Sequence, residues 1–194
     1  VLINETYHIK EVKFKKEAQV QKNGFFKTYR TAFGLSENDS FVEKRILNDD
    51  LGFTHTRYKQ FHKGLEVIGS DYIIHEKNGR IVSVNGMLAQ NMNIDISSSI
   101  SEQEAFSKAV RSVGANVYRW ETDAQFTKPE GKLAIVSVEN LMTKESFRTA
   151  YRFDVYSESP LARYWVDVDA KTGNILRKLN RIHTSDVAAS GTSL

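Results

Sequence analysis

The sequence predicts an α+β protein of two small modules, each a helix packed on an antiparallel β-sheet. Three observations support this prediction. From residue 53 onward, short runs of β-branched and aromatic residues alternate with polar residues and are separated by turn residues, which is typical of strands. A capped amphipathic segment, typical of a helix, begins at Ser101. A polar, serine-rich stretch at 91–100 lies between the two halves, and we interpret it as a linker.

The first module is expected to span residues 1–90 and to begin with a basic leading segment. Its helix is predicted within 24–35, because four aromatic residues recur there at helical spacing and Gly34 follows as a stop. These residues are Phe25, Phe26, Tyr29 and Phe33. The stretch 41–48 fits the helical and the strand period only in part, so the sequence leaves its structure open.

Three strands are predicted next, at 53–61, 65–76 and 80–90. Asn78 and Gly79 separate the last two, and Asn-Gly is the strongest short hairpin signal. His75 and Glu76 begin like the H-E-x-x-H motif, in which two histidines on one helical face bind zinc. Here the fifth residue is a glycine and the pair ends a predicted strand, so no zinc site is expected.

The second module is expected at 101–182. Ser101 as N-cap and Glu104 three residues later form a capping box, and Gly114 supplies the helix stop. The apolar face of this helix consists of Ala105, Phe106, Ala109, Val110 and Val113. Phe106 and Val110 are expected to anchor the helix on its sheet. Strands are predicted at 132–140, 147–157, 162–170 and 174–182, with Lys171-Thr172-Gly173 turning the last pair.

The composition argues against several classes of partner and chemistry. The 194 residues contain no cysteine, which excludes disulfides, zinc fingers and thiol catalysis. The net charge of +3 and the pI of about 9.0 arise from scattered residues, so we expect no nucleic-acid partner. No run of residues is long and apolar enough to span a membrane, and no membrane partner is expected. The chain begins at Val1 without an apolar signal core, so we expect a processed piece of a longer protein.

The sequence contains no recognisable catalytic or metal-binding constellation. No two of its five histidines are spaced as metal ligands on a helix, and we expect each to be structural or solvated. They are His8, His55, His62, His75 and His183. Asp167 and Asp169 superficially resemble a calcium loop, but the remaining ligands of an EF-hand are missing, and we expect a strand and a β-turn. The residues alone therefore indicate a non-catalytic binding module without a cofactor of its own.

An ordered set of residues within 51–88 carries a resemblance to a known family. It consists of Leu51, Gly52, His55, Arg57, Gln60, Gly64, Val67, Gly69, His75, Gly79, Val84, Asn85 and Gly86. In this order they resemble the first propeptide domain of thermolysin-like (M4) metalloproteases, the fungalysin/thermolysin propeptide (FTP) module. One departure is Glu66, where the family usually has proline.

The rest of the chain carries a related resemblance. Residues 101–182 open with the helix SEQEAFSKA and close with YWVDVDAKTGNIL, and they resemble the second propeptide domain, the PepSY module. Residues 181–194 resemble the junction between propeptide and mature enzyme.

The resemblance implies cystatin-like and PepSY-like modules cut from the precursor of a secreted zinc metalloprotease. Such propeptides act as intramolecular chaperones and cis inhibitors, so the expected partner is the catalytic domain of the same precursor. Zinc, and also calcium, would belong to that domain. A free-standing secreted inhibitor that acts on proteases in trans is the alternative, and an enzyme in its own right is a third reading.

The resemblance also implies a processing site at the start of 183–194. We expect the junction to involve five residues: His183, Thr184, Ser185, Asp186 and Val187. The bond after His183 is the leading candidate, and Asp186–Val187 is the runner-up because an apolar residue is expected after the scissile bond. Arg181, Ile182 and His183 are expected to form the inhibitory tail.

Overall fold

The computed structural model describes residues 2–3, 9–138, 142 and 145–182, and this part of the chain forms a mainly β structure with three short α-helices. The helices are α1 (Phe25–Thr28), α2 (Glu102–Val113) and α3 (Arg119–Thr122). The strands are β1 (Leu2–Ile3), β2 (Ile9–Lys13), β3 (Asp39–Asn48), β4 (Phe53–His62), β5 (Leu65–Lys77), β6 (Arg80–Gly86), β7 (Val117–Tyr118), β8 (Lys132–Ser137), β9 (Phe147–Ser159), β10 (Ala162–Asp169) and β11 (Ile175–Asn180).

All of these strands belong to one sheet. Its main path runs β1-β2-β6-β5-β8-β9-β10-β11. Off this path, β4 pairs with β5, β3 pairs with β4, and β7 pairs with β9. The pairs are antiparallel except for β5 with β8, where Glu66 pairs with Ala134 and Val67 with Ile135. The predicted α+β class is confirmed. The two predicted modules share this sheet through the parallel pair, so their division into independent units stays a prediction.

The predicted strands are confirmed with ends that differ by a few residues, and the ambiguous stretch 41–48 lies in β3. Asn78 and Gly79 form the predicted hairpin turn, with φ of 53° and 73°. Positive φ at both positions is what a two-residue turn that matches the strand twist requires. His75 and Glu76 lie within β5, as the strand pattern predicted.

Helix α2 begins and ends as predicted. Of the two bonds of the predicted capping box, the structure shows the one that Ser101 accepts, while the Glu104 carboxylate lies 3.7 Å from the Lys108 ammonium. The Ser101 hydroxyl accepts a hydrogen bond from the Glu104 N–H at 3.1 Å, and Gly114 ends the helix with a φ of 66°. The helix buries Ala105, Phe106 and Ala109 against β9 and β10, while Val110 packs beside them half-buried. The capped segment therefore docks on its sheet through the apolar face that the sequence defines.

The first predicted helix is wrong in length. Only α1 is regular, although the Phe33 N–H still donates to the Tyr29 carbonyl at 3.0 Å. Gly34 ends the turns as predicted, and the Leu35 N–H reaches back to the Arg30 carbonyl at 2.9 Å. Aromatic side chains have poor helix propensity, and here they pack into the core in several directions: the Phe26 ring stacks on Phe41 at 3.6 Å, while Phe25 and Phe33 pack around Tyr72.

The predicted linker 91–100 has no regular secondary structure, but it is hydrogen-bonded to both halves. The Asn91 N–H donates to the Gly34 carbonyl at 2.7 Å, and the Lys63 ammonium donates to the Ile94 carbonyl at 2.8 Å. At the other end, the Asp95 carbonyl accepts from the Thr149 hydroxyl at 3.0 Å. The segment therefore acts as a strap across the sheet rather than as a free tether.

The two faces of the sheet differ in what covers them. Tyr72 and Ile74 of β5 pack in the core with Phe25 of α1, and Phe153 and Val155 of β9 pack with α2. Because side chains alternate along a strand, their neighbours point to the opposite face. Neither α1 nor α2 packs there, but α3 contributes Arg119, whose guanidinium lies 5.6 Å from the centre of the Tyr156 ring. We call this opposite side the open face. Among the described residues, none of the helices has the length and apolar composition that crossing a membrane requires.

Replacing Phe106 with alanine tests the packing of α2. The ring is 8% exposed and lies against Phe153 and Trp120, with centroid distances of 5.7 and 6.0 Å. Phe106→Ala should lower the free energy of unfolding by about 3–5 kcal/mol, because it leaves a cavity in the core. Ser101→Ala, which removes only the cap, should cost about 1 kcal/mol. Urea titration of both variants checks this, and a loss below about 1 kcal/mol for Phe106→Ala would contradict the packing.

Candidate functional site

The motif residue Gln60 lies in a buried hydrogen-bond network on the covered face. Its amide nitrogen donates to the Ala89 carbonyl at 2.9 Å and to Asp39 at 3.2 Å. Its amide oxygen accepts from the Ser70 hydroxyl at 2.7 Å and from the Ala89 N–H at 2.9 Å. All four hydrogen-bonding positions of the amide are therefore used, which explains how it can be only 1% exposed.

His62 belongs to the same network. Its Nδ1 lies 2.9 Å from an Asp39 carboxylate oxygen, and both side chains are 1% exposed. Asp39 also accepts from the Ser36 N–H and hydroxyl, at 2.6 and 2.9 Å. Since an ionised carboxylate only accepts, Nδ1 of His62 carries the proton in this bond. His62 thus joins the end of β4 to the start of β3.

The motif residues His55, His75 and Asn85 meet on the open face. His55 and His75 are opposite each other on β4 and β5, with their Nδ1 atoms 2.6 Å apart. Nε2 of His55 lies 3.1 Å from the Asp49 carboxylate, and Nε2 of His75 lies 3.1 Å from the Asn85 amide. The Phe53 N–H, together with His55, lowers the pKa of Asp49 against the opposing effect of burial.

These contacts form one polar chain across three strands. The Asp49 carboxylate accepts, so His55 donates to it from Nε2. One of the two facing Nδ1 atoms donates to the other. The contacts thus link neighbouring side chains of β4, β5 and β6.

The other motif positions shape β5. Val67 is fully buried, Gly64 lies in the β4–β5 turn, and Gly69 lies where the register of the two strands shifts. Gly86 has a φ of 132°, and a Cβ added there would lie 2.1 Å from the Asp71 carbonyl oxygen. Only glycine allows the backbones of β5 and β6 to approach this closely.

Arg57 is the most exposed of the motif side chains on the open face. Its guanidinium lies 3.5 Å from Asp71, whereas Lys59 on the same strand lies 2.8 Å from the other oxygen of that carboxylate. The Arg57 side chain is 47% exposed, so its ion pair adds little stability. The position leaves Arg57 accessible to a partner.

The second half of the open face carries paired charges. Asp167 is fully buried, accepts two hydrogen bonds from Arg152 at 2.7 and 2.8 Å, and accepts a third from Arg177 at 2.9 Å. Asp154 accepts from Arg163 at 2.9 and 2.6 Å and also from Arg181. Burial opposes the ionisation of Asp154, but these bonds outweigh it, and the pKa of Asp154 lies below its ordinary value.

Asp167 and Asp169, which superficially resemble a calcium loop, have other partners. The Asp169 carboxylate accepts from the backbone N–H groups of Lys171 and Thr172, at 2.7 and 2.9 Å, and so forms the β-turn that the sequence predicts. Within the described ranges, no group of three or more His, Asp or Glu side chains is arranged to hold a metal ion.

The chain leaves the sheet beside this charged face. The Arg181 N–H donates to the Arg163 carbonyl at 2.8 Å, and its guanidinium lies 4.3 Å from the ring centre of Trp165. The Ile182 N–H donates to the Asn180 side chain at 2.9 Å. The rest of the predicted tail and junction, residues 183–187, lies outside the described residues.

Neither polar cluster of the open face was predicted from the sequence. The β4–β5 turn pairs His62 with Leu65, and an unbroken hairpin would place His55 opposite Tyr72. The register shift brings His75 there instead; a glycine inside a strand pattern, Gly69, was the available signal for a bulge. The signal for the second cluster was charge at alternate positions of otherwise apolar strands, as at Arg152 and Asp154.

Comparison with known proteins places this geometry in a class. Residues 39–88, which run from the start of β3 to just beyond β6, match the Fungalysin/Thermolysin Propeptide Motif. The match therefore contains Asp39, Gln60 and Ser70 of the Gln60 network, and the His55–His75 pair. The chain thus carries a propeptide module.

Several proteases are similar to the chain over most of its length. It is 31% identical to bacillolysin of Bacillus subtilis subsp. amylosacchariticus over 151 residues, which are 75% of this chain and 28% of that protein. It is 29% identical to bacillolysin of Bacillus amyloliquefaciens over 150 residues, again 75% of this chain and 28% of that protein. It is also 29% identical to thermolysin of Alicyclobacillus acidocaldarius over 159 residues, which are 80% of this chain and 28% of that protein. The matched region thus spans little more than a quarter of these relatives. Together with the motif, they support the assignment of the chain as a propeptide of an M4 protease.

Among solved structures, the chain is similar to the C-terminal domain of YpeB from Bacillus megaterium. The two are 16% identical, with a TM-score of 0.40 over 81% of this chain and 61% of the other. A score of this size does not establish a common fold.

Gly86→Ala tests the close approach of β5 and β6. The variant should lose more stability than Gly79→Ala, because both glycines have positive φ but only the Cβ at 86 meets backbone atoms. Placing alanine at a positive φ costs about 1–2 kcal/mol at either position. At position 86 the clash of the Cβ with the backbone of β5 should add about 1–3 kcal/mol. Urea titration measures both variants, and equal losses would show that the strands can separate without cost.

Asp154→Asn tests the charged face. A carboxylate with a lowered folded pKa stabilises the protein above its unfolded pKa of about 3.9, and this stabilisation is lost as the pH falls through the folded value. The variant should therefore be less stable than the wild type at pH 7, and the difference should narrow below about pH 4. Urea titration as a function of pH checks this, with the exposed Asp50→Asn as control. A difference that stays constant down to about pH 2 would contradict the pairing.

Proposed function

We propose that the chain is the propeptide of an exported, thermolysin-like zinc metalloprotease, which assists folding of the catalytic domain and inhibits it in cis until processing. The propeptide motif and the bacillolysin and thermolysin relatives support this proposal. The partner is then the catalytic domain of the same precursor, which carries the zinc. In this proposal the second half is a PepSY module, and the chain itself supplies no catalytic group.

The observation that carries the proposal is the fixed exit of the chain at Arg181. The backbone of this residue is bonded to β10, and its side chain is held by Asp154 and Trp165. The residues that follow Ile182 therefore start from a defined point at the rim of the open face. A tail that starts from a fixed point loses less conformational entropy when it binds, because the position of its first residue is already set.

Inhibition follows if this tail lies in the substrate cleft in an unproductive geometry. The covalent link between the tail and the catalytic domain raises their effective concentration, so weak contacts suffice until the link is cut. Cleavage removes this advantage and allows the propeptide to dissociate. We place the cut within His183–Val187, with the His183–Thr184 bond as first candidate and Asp186–Val187 as second.

The proposed role in folding is supported by the open face of the sheet. Proteins dominated by non-local contacts fold slowly and expose apolar surface while they do so. A preformed sheet with one open face can cover such surface on a partner. The polar chain at His55 and the charged pairs at Asp154 and Asp167 keep this face ordered before the partner has folded.

Removal of the tail tests the inhibitory role. Residues 1–182 should still bind the separately prepared catalytic domain of the precursor, but should inhibit peptide hydrolysis at least about 10-fold more weakly than residues 1–194, a loss of about 1.4 kcal/mol. Inhibition and binding constants, measured on the same preparations, check this.

A chain in which 183–194 is replaced by a Gly-Ser segment of equal length is the matched control, because it keeps the length and loses the sequence. Equal inhibition by all three chains would place the blocking element within the folded part. The folding role has a separate readout: both 1–182 and 1–194 should raise the yield of active enzyme when the denatured catalytic domain is diluted from urea. An unchanged yield would contradict it.

A further inference from the structure

The open face ends in a cleft of about 900 Å³ whose walls come from both halves of the chain. Phe61 and Glu66 of the first half form one wall, and the loop that contains Phe126 forms another. Tyr156 and Trp165 of β9 and β10 lie in the floor. The parallel pairing of β5 with β8 brings these parts together, so the cleft exists only because the two halves share a sheet.

Each aromatic ring in the floor lies close to two guanidinium groups. The central carbons of Arg152 and Arg181 are 5.4 and 4.3 Å from the ring centre of Trp165. Those of Arg119 and Arg163 are 5.6 and 4.9 Å from the ring centre of Tyr156. These four guanidinium groups are hydrogen-bonded in turn to carboxylates, namely those of Asp154, Glu158 and Asp167.

Such an arrangement suits a protein interface. Tryptophan, tyrosine and arginine dominate the residues that contribute most to binding between proteins. Rings and guanidinium groups that are already ordered lose little conformational entropy when a partner docks. The cleft therefore offers a rigid anchor rather than a surface that must reorganise.

The charge of the cleft indicates the kind of partner. Five basic and three acidic side chains line it. Glu158 and Asp167 pair with two of the basic side chains from outside the lining, and Arg177 and Arg181 add two more guanidinium groups to this network, so the basic side chains exceed the acidic ones by two. The basic side chains of the lining are Arg119, Lys128, Lys132, Arg152 and Arg163. The excess of positive charge favours an acidic surface over a basic or purely apolar one.

We propose that this cleft is the surface that holds the catalytic domain, and that the catalytic domain presents an acidic segment to it. This inference rests on the proposed function, since it assigns that function's partner to one surface. Continuity of the chain supports the choice of occupant: Arg181 contacts Trp165 and Asp154 of the cleft, and a catalytic domain that follows in the same precursor is joined to the chain through the residues after Ile182. A partner joined through them meets the cleft at a high effective concentration.

Charge reversal at the cleft tests the proposal without disturbing the core. Lys132 lines the cleft and is exposed, so Lys132→Glu should leave the fold intact and weaken binding of the separately prepared catalytic domain by at least about 5-fold. Arg111→Glu is the matched control, because Arg111 is equally exposed but lies on α2, on the covered face. It should bind as the wild type does. Wild-type binding should also weaken as the salt concentration rises.

Trp165→Ala tests the anchor itself, with an expected loss of at least about 10-fold in affinity. Leu161→Ala is its control, since Leu161 is 64% exposed in the β9–β10 turn and does not line the cleft. Circular dichroism and urea titration of each variant separate loss of binding from loss of fold.

The outcomes are distinguishable. If the wild-type chain binds and inhibits the enzyme while both cleft variants bind as tightly, the cleft is not the docking surface and the proposed function stands. If the wild-type chain neither binds nor inhibits, the proposed function fails, and this inference fails with it. If the chain sediments as a dimer that Lys132→Glu dissociates, the cleft is a contact between copies of the chain, and the assignment to the catalytic domain is overturned.

Discussion

The buried side-chain amide of Gln60 joins four segments of the chain. It lies on β4 and bonds to Asp39 at the start of β3, to Ser70 on β5, and to both backbone groups of Ala89 in the strap. Four bonds use the whole capacity of an amide, and a buried donor or acceptor without a partner would cost about 1–3 kcal/mol. The positions of these segments are therefore fixed together. The FTP match at 39–88 spans all of them except Ala89, which directly follows it.

This constraint explains the shape of β5, on which the two halves depend. Ser70 reaches Gln60 just after Gly69, where the register with β4 shifts. Before the shift, β5 pairs with β8 through Glu66 and Val67; after it, β5 pairs with β6 from Tyr72 onward. One strand thus joins the first half of the sheet to the second, and the open face runs across both. A bulge of this kind bends the strand and changes the direction in which its side chains point.

The open face is ordered in the free chain and still exposes groups that a partner can contact. Its charges are paired within the chain, as Asp167 is with Arg152 and Arg177, so they need no partner for the fold to be stable. Its rings are only partly covered. A surface that is rigid in the free chain and still offers aromatic and basic groups is suited to hold a protein that has yet to fold. In the proposed function, the same rigidity fixes the point at which the tail leaves.

The sequence by itself determined the local structure. Alternation identified the strands, Asn78-Gly79 identified a hairpin, and Ser101 and Gly114 marked the ends of α2, because each of these signals acts within a few residues of the chain. The first helix was wrong in length because its aromatic residues follow tertiary packing instead of helical propensity. Only the tertiary structure decided that His55 faces His75 and that β5 runs parallel to β8. The first depends on a register shift and the second on a pairing between strands that are distant in sequence, and neither leaves a periodic pattern in the sequence. The cleft depends on the pairing of β5 with β8, so the sequence does not predict which residues lie together in it.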